Sequence, residues 1–375
     1  MKPRERFHQA VNHEEPDRVP LDYWTTYEAY ENLRNHLGIT APETHRWGLF
    51  SEWQTSEELL QRLNVDFRHV HMKARADFEP KPLPDGSLET EWKYGTKIIG
   101  EYEEVTYYPW ADFTEVEQIE EFDWPDPEEP SRMEGVRALA KQLHEETDYA
   151  VVGYGGGPFG IVEMPAHFMR GFDKFLVDLL RRTDLAEAMM EKSMRLAIEM
   201  NRVFLDEVGE YLDIFQFGDD LGHQNGLVMS PRVYRSMIKD RHKKIYDDIH
   251  RRAPHVKILH HTCGAVEPLI QDLIDVGVDI LNPIQPLAKG MESSSLKKKY
   301  GDKLAFHGGI DIQRVMAAQG SIEDVRGEVD TRIDALAHGG GYILAPAHNI
   351  QSESTPEKIL ELYDYASKKG IYPLK

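Results

Sequence analysis

Short apolar runs rich in β-branched and aromatic residues alternate along this chain with longer stretches whose apolar positions recur every three to four residues. The short runs fall at 18–24, 65–71, 149–155, 213–218, 256–263, 278–284, 303–308 and 341–345, which predicts about eight strands. Helical spacing fills most of the gaps. The stretch 185–208 aligns Met190, Met194, Ala197 and Ile198 on one stripe, a packing surface, with Thr183 or Asp184 as its N-cap. Ser230-Pro231 reads as cap and first-turn proline of a helix running towards Arg251. Pro268 and Ser321 mark two further starts, and Thr355-Pro356-Glu357 opens the last helix.

Strands alternating with helices in this way predict an α/β fold, specifically a (β/α)8 TIM barrel. An open doubly wound sheet is the alternative, but no glycine-rich dinucleotide fingerprint follows the first run. The glycines between Gly153 and Gly157 lack that spacing and read as a tight turn where a ligand approaches the backbone. One stretch breaks the alternation. Residues 78–110 read as an antiparallel ribbon, with an Asp85-Gly86 turn, alternating Leu88, Thr90 and Trp92, and later Tyr102, Val105 and Tyr107. Placed after the second strand, this insertion is expected above the barrel mouth as a lid or interface arm, within one domain spanning 1–375.

Composition narrows the function. Sixty-five acidic residues against 44 basic ones give a formal net charge of −21, which argues against a nucleic-acid or anionic-membrane surface. The N-terminus is charged at once, with no apolar signal region, and no run approaches the roughly 18 apolar residues that span a bilayer. The expectation is a cytoplasmic protein.

The candidate chemistry centres on the only cysteine. His261 and Cys263 lie two residues apart at the end of a strand-like run that breaks at Gly264. Such residues share a strand face, so one imidazole and one thiol converge as ligands of a borderline divalent metal do. The plainer reading is a buried, inert thiol. In barrel enzymes the site lies at the C-terminal strand ends. Here those ends carry Glu163; Asp219, Asp220, His223 and Gln224; Asn282 and Gln285; His307 and Asp311; and His348 and Asn349. Each has a bland alternative: a turn cap for Asp219 or Asp220, a core histidine for His307, a helix-surface carboxylate for Glu163. The adjacent Asp219 and Asp220 point apart, so one of them is expected to face a ligand. With His348 from across the mouth, His261 and Cys263 would form a three-ligand zinc site, whose open fourth position marks catalysis. Such a site activates a bound thiol or water. Asp219, Glu163 and His307 are the candidate catalytic groups. Asp220, Gln224, Asn282, Gln285, Asp311 and Asn349 are candidate substrate contacts. Arg170 and Arg241, with Arg232, are candidates for gripping an anion, ordinary ion pairs being the alternative.

Taken in order, the motifs Arg4-Glu-Arg-Phe…Pro16-Asp-Arg-Val-Pro20, Arg170-Gly-Phe172, Gly218-Asp-Asp220…Gln224, Ser230-Pro231, His261-Thr-Cys263-Gly264, Leu281-Asn-Pro283, Phe306-His-Gly-Gly-Ile-Asp311 and His348-Asn-Ile-Gln351 resemble the uroporphyrinogen decarboxylase superfamily, in its methyltransferase-like branch. The resemblance covers nearly the whole chain and implies a (β/α)8 barrel. True porphyrinogen decarboxylases carry an Arg-Gln-Ala-Gly-Arg segment for substrate carboxylates after the first strand. Here that place reads from Leu21 to Glu28 without an arginine, which points away from porphyrinogens. Methylcobalamin:thiol methyltransferases of the family hold zinc with a His-x-Cys pair and a distant cysteine. His261 and Cys263 match the pair, and His348 stands in the region of the third ligand.

The resemblance thus implies a zinc-dependent methyltransferase acting between a corrinoid and a thiol or similar nucleophile. The chain lacks an Asp-x-His-x-x-Gly corrinoid motif, so the corrinoid would come on a partner protein. Expected partners are that protein, a small-molecule methyl donor or acceptor, and a second copy in a homodimer. One alternative is a decarboxylase or lyase for a small acid, with His223 or Arg241 near the carboxylate. Another is a non-catalytic corrinoid- or substrate-binding subunit that uses the aromatic ribbon as an interface.

Overall fold

The computed structural model describes residues 1–40, 55–99, 102–156 and 160–374. Strands β1 (Phe67–His71), the ribbon strands β2 (Lys81–Pro82), β3 (Leu88–Glu89), β4 (Gly95–Ile99) and β5 (Tyr102–Tyr107), and β6 (Ala150–Tyr154) come first. β7 (Ile214–Gly218), the short pair β8 (Gly222–His223) and β9 (Gly226–Leu227), β10 (Lys257–His261), β11 (Ile280–Ile284), β12 (Ala305–Ile310) and β13 (Tyr342–Pro346) follow. Seven of them form one parallel sheet in the order β1-β6-β7-β10-β11-β12-β13. Helices lie between successive strands. β11, β12 and β13 are buried along their whole length, as expected of strands covered on both faces.

The first predicted strand is the exception. Residues 18–24 form no ladder, only isolated bridges, of which Leu21 to Leu344 is parallel. The backbone still reaches both sheet edges. Asp22 N donates to Leu344 O and Leu344 N to Pro20 O, while Asp66 N, next to β1, donates to Leu21 O. Two features explain the missing ladder. Pro20 has no N–H to give, and the Leu21 N–H is taken by the side chain of Asp66 at 2.8 Å. That buried carboxylate also binds Arg6 and Arg18.

Helix starts follow their sequence signals. The Ser230 hydroxyl accepts from Val233 N, and the chain then runs as helix to Arg252 through a wide π-type turn at Tyr234–Ile238. Ser321 and Asp324 form a capping box, and Thr355 caps Pro356–Lys369. The long helix differs slightly: it begins at Thr183 itself, behind Arg182, with no side-chain cap. Of the predicted stripe, Met190, Met194 and Ala197 are buried and Ile198 is half-buried.

The ribbon is a four-stranded antiparallel sheet between β1 and β6. Gly86, at φ +81°, makes its first turn, and Asp85 accepts from the N–H and hydroxyl of Ser87. Trp92 packs on Trp124, which meets Trp110 and Phe122, while Arg132 pairs with Glu91. The described glycines of 153–156 pack against the protein's own side chains. A Cβ on Gly153 would strike Leu212, and one on Gly155 would strike Asn201. Gly157 lies outside the described residues.

Candidate metal centre

β10 ends at His261, and two side chains from neighbouring strand ends hold the turn that follows. Asp220 Oδ1 accepts from Cys263 N and Gln285 Oε1 accepts from Gly264 N, both at 2.8 Å. Thr262 points the other way, buried, with its hydroxyl accepting from Leu221 N. The alternation therefore puts His261 and Cys263 on one side. His348, two residues past β13, completes the group: single ligand atoms of His261, Cys263 and His348 all lie within 4.8 Å of one another. Cys263 Sγ is 3.6 Å from His261 Nε2. A tetrahedral zinc ion with ordinary bond lengths separates a sulfur and a nitrogen ligand by about 3.6 Å. The ring centroids of His261 and His348 are 5.8 Å apart.

Behind His261 runs a chain of polar groups. His261 Nδ1 lies 2.6 Å from Asn282 Oδ1, and Asn282 Nδ2 lies 2.6 Å from His307 Nδ1. His307 Nε2 meets Asp22 Oδ2 at 3.0 Å. Asp22 also accepts from Tyr23 N and Trp24 Nε1, and His69 Nε2 is 3.4 Å away. The Trp24 ring stacks on His261 at 5.9 Å and tilts against His307 at 5.4 Å.

The electrostatics suit a cation. Burial pushes the Cys263 thiol well up, and Asp220 and Glu163 add to it. Glu163 is pushed well above the carboxylate range by burial, then by Asp220 and Asp219. Burial and His261 lower His348 to about 4, so it is a neutral imidazole at pH 7. Two imidazoles and a thiol, crowded by the carboxyl groups of Asp220 and Glu163, form a donor set that a divalent metal would satisfy. Burial alone would raise Asp22, yet His69 and His307 outweigh it and hold that carboxylate far below its usual range.

Residues 88–368 match the uroporphyrinogen decarboxylase (URO-D) family. The chain belongs to that family. A solved methyltransferase from Methanosarcina mazei is similar in fold, with a TM-score of 0.69 at 17% identity over 98% of this chain and 99% of that one. A Shewanella B12-independent methionine synthase in complex with selenomethionine aligns more weakly, with a TM-score of 0.36 at 15% identity over 61% of this chain and 65% of that one. No curated protein matches the sequence.

Within this URO-D chain the remaining candidates separate by position. Asp219 is fully buried and turned away from the triad. Its carboxylate accepts from the N–H groups of Ile161, Val162 and Glu163 and meets His242 Nε2 at 2.9 Å. Those bonds make it the cap of the turn that presents Glu163, an engagement that fits a positioning role better than the catalytic one expected. Asp220 is the member of the pair that faces the site, 3.9 Å from His261 Nε2. His307 and Asn282 lie behind His261, both buried. Gln285 and Asp311 line a cavity of about 130 Å³ beside His348. Asp311 also caps the turn at Gln313 and Arg314. Gln224 is exposed and ties down the loop at Leu287, and the Asn349 carbonyl accepts from Gln351.

The arginines are not anion grips of this site. Arg170 is buried against Asp178 and the carbonyls of Trp110, Ala111 and Phe113, where it bolts the end of the ribbon to the helix Phe172–Arg181. Arg241 bonds Met237 O and lies 3.4 Å from Glu191, and Arg232 is exposed. His223 is exposed and accepts from Asn225 N. Sequence reasoning missed Asp22, Trp24, His69 and His71. The available signal was the strand spacing of Asp22 and Trp24, and of His69 and His71, at the ends of the first two runs.

Proposed function

We propose that this chain is a zinc-dependent methyltransferase, built as a complete (β/α)8 barrel closed through residues 20–22, that moves a methyl group between a corrinoid on a partner protein and a thiol or similar nucleophile. The observation that carries the reading is the convergence of His261, Cys263 and His348 within 4.8 Å. The Methanosarcina methyltransferase of like fold supports it. Zinc, when bound, supplies the Lewis acidity that makes a thiol nucleophilic at neutral pH.

The chain's own groups do the rest. Asp220 and Gln285 hold the Cys263 turn rigid, and Trp24 walls the site beside His261. Glu163, whose proton affinity is raised by burial and by Asp220, is the group placed to accept the proton that the thiol loses. An in-line approach would then form the carbon–sulfur bond as the carbon–cobalt bonding pair returns to cobalt. The ribbon serves as the lid or docking arm for the partner.

The test is metal content beside Cys263→Ala and His348→Ala, followed by methylcobalamin-to-thiol transfer. About one zinc per chain, lost in both variants, with transfer by the wild type alone, is the expected result. Wild-type protein that takes up no zinc would sink the reading.

A further inference from the structure

We infer that Asp22 is the positioning residue of this centre: acting through His307 and Asn282, it fixes His261 with its proton on Nδ1 and the lone pair of Nε2 turned towards Cys263 and His348. The effect on metal affinity rests on the zinc reading above; the tautomer itself does not.

The argument is an accounting of donors and acceptors. The Asp22 carboxylate is buried and can only accept, so His307 Nε2, 3.0 Å away, carries a proton. Asn282 turns its Nδ2 to His307 Nδ1, 2.6 Å away, so that ring nitrogen accepts from the amide N–H. That choice turns Asn282 Oδ1 to His261 Nδ1 at 2.6 Å, and a carbonyl oxygen there requires the His261 proton on Nδ1. Nε2 is left as the acceptor, 3.6 Å from Cys263 Sγ. With the amide turned this way, moving the proton on either ring sets two acceptors or two donors against each other in a buried site, a costly arrangement. Trp24 removes the remaining freedom. Its ring packs on both imidazoles while its Nε1–H is anchored on the same carboxylate. A metal-ligating histidine usually donates its other N–H directly to a carboxylate or carbonyl. Here the carboxylate lies two side chains further back, so one buried charge orders three side chains in series.

The experiment is a long-range proton–nitrogen correlation spectrum of histidine-labelled, metal-free protein, with His261 assigned by its loss in His261→Gln. The wild type is expected to show His261 protonated on Nδ1. Asp22→Asn is expected to mix the two tautomers and weaken zinc binding 10- to 100-fold, the usual effect of removing a partner behind a ligand. Asn282→Asp, which still accepts from His261, is expected to keep the Nδ1 proton. A wild-type His261 protonated on Nε2 would overturn the inference without any variant. So would an Asp22→Asn protein whose His261 spectrum and zinc affinity match the wild type. Protein that takes up no zinc but shows the expected tautomers and their loss would retire the metal reading and leave the relay standing.

Discussion

At the scale of single residues, burial decides which groups carry charge, and each shift has a signed consequence for stability. His71 is lowered to about 3 from an ordinary value of 6.5, by burial and then by His69. Below pH 6.5 the unfolded chain binds a proton there that the folded chain refuses. The stability this group contributes is therefore lost as pH falls from 6.5 towards 3, by up to about 1.4 kcal/mol per pH unit. His71→Phe is expected to flatten that slope in denaturant titrations between pH 6 and 4, and an unchanged slope would exclude the residue as its source. Glu163 has the opposite sign. Its raised folded value means that stability is lost as pH rises above 4.5, where the unfolded carboxyl ionises. Metal-free Glu163→Gln is expected to be more stable than wild type at pH 7, whereas a less stable variant would contradict the buried, protonated acid.

At the scale of elements, the site depends on turns that are capped from a distance. Asp219 holds three successive N–H groups of the 161–163 turn and also binds His242. Asp219→Ala is expected to cost about 3 kcal/mol in unfolding free energy, since it strips the turn and leaves His242 without its buried partner. A cost below about 1 kcal/mol would return Asp219 to the catalytic list. Arg170→Met should destabilise by a similar amount through the lost anchor of residues 110–113, yet leave the KM of the remaining folded enzyme unchanged; a selective rise in KM would restore Arg170 as a substrate contact.

Elements were the most legible level in the sequence, for physical reasons. Strands covered on both faces read as continuous apolar runs, and Ser230, Ser321 and Thr355 announce their helices because the cap is local. The run at 18–24 misled because its ladder is blocked by Pro20 and by Asp66, a residue 45 positions from Leu21. His261 and Cys263 were legible because two-residue spacing sets a shared face. Which of Asp219 and Asp220 faces the site was not, since alternation says only that they part. The spacing of Asp22 and Trp24 marks a shared face, but the role of Asp22 was not legible, because it depends on His307, 285 positions away.

At the scale of the whole molecule, the candidate ligands come from β10 and from just past β13, near the far end of the chain, while their support begins at residue 22. Zinc held by the proposed triad would need these distant segments already together, so it would favour the folded state by mass action. At a free concentration about a thousand times its dissociation constant, the added stability is about 4 kcal/mol. A chelator is expected to lower Tm by several degrees in wild type and not in Cys263→Ala; equal shifts in both would place the metal elsewhere.

The stretch that joins the two sheet edges is also the stretch that carries Asp22. Leu344 N bonds Pro20 O, Asp22 N bonds Leu344 O, and the carboxylate of the same residue begins the line to His261. The seam of the fold and the root of the site are thus one piece of chain, and a metal bound to the triad would act as a latch on that seam. Amide exchange at Asp22 and Leu344 should slow on zinc loading more than exchange at the opposite wall, around Phe215 of β7. Equal slowing everywhere would mean that the ion tightens the molecule as a whole and leaves its seam no more secure than the rest.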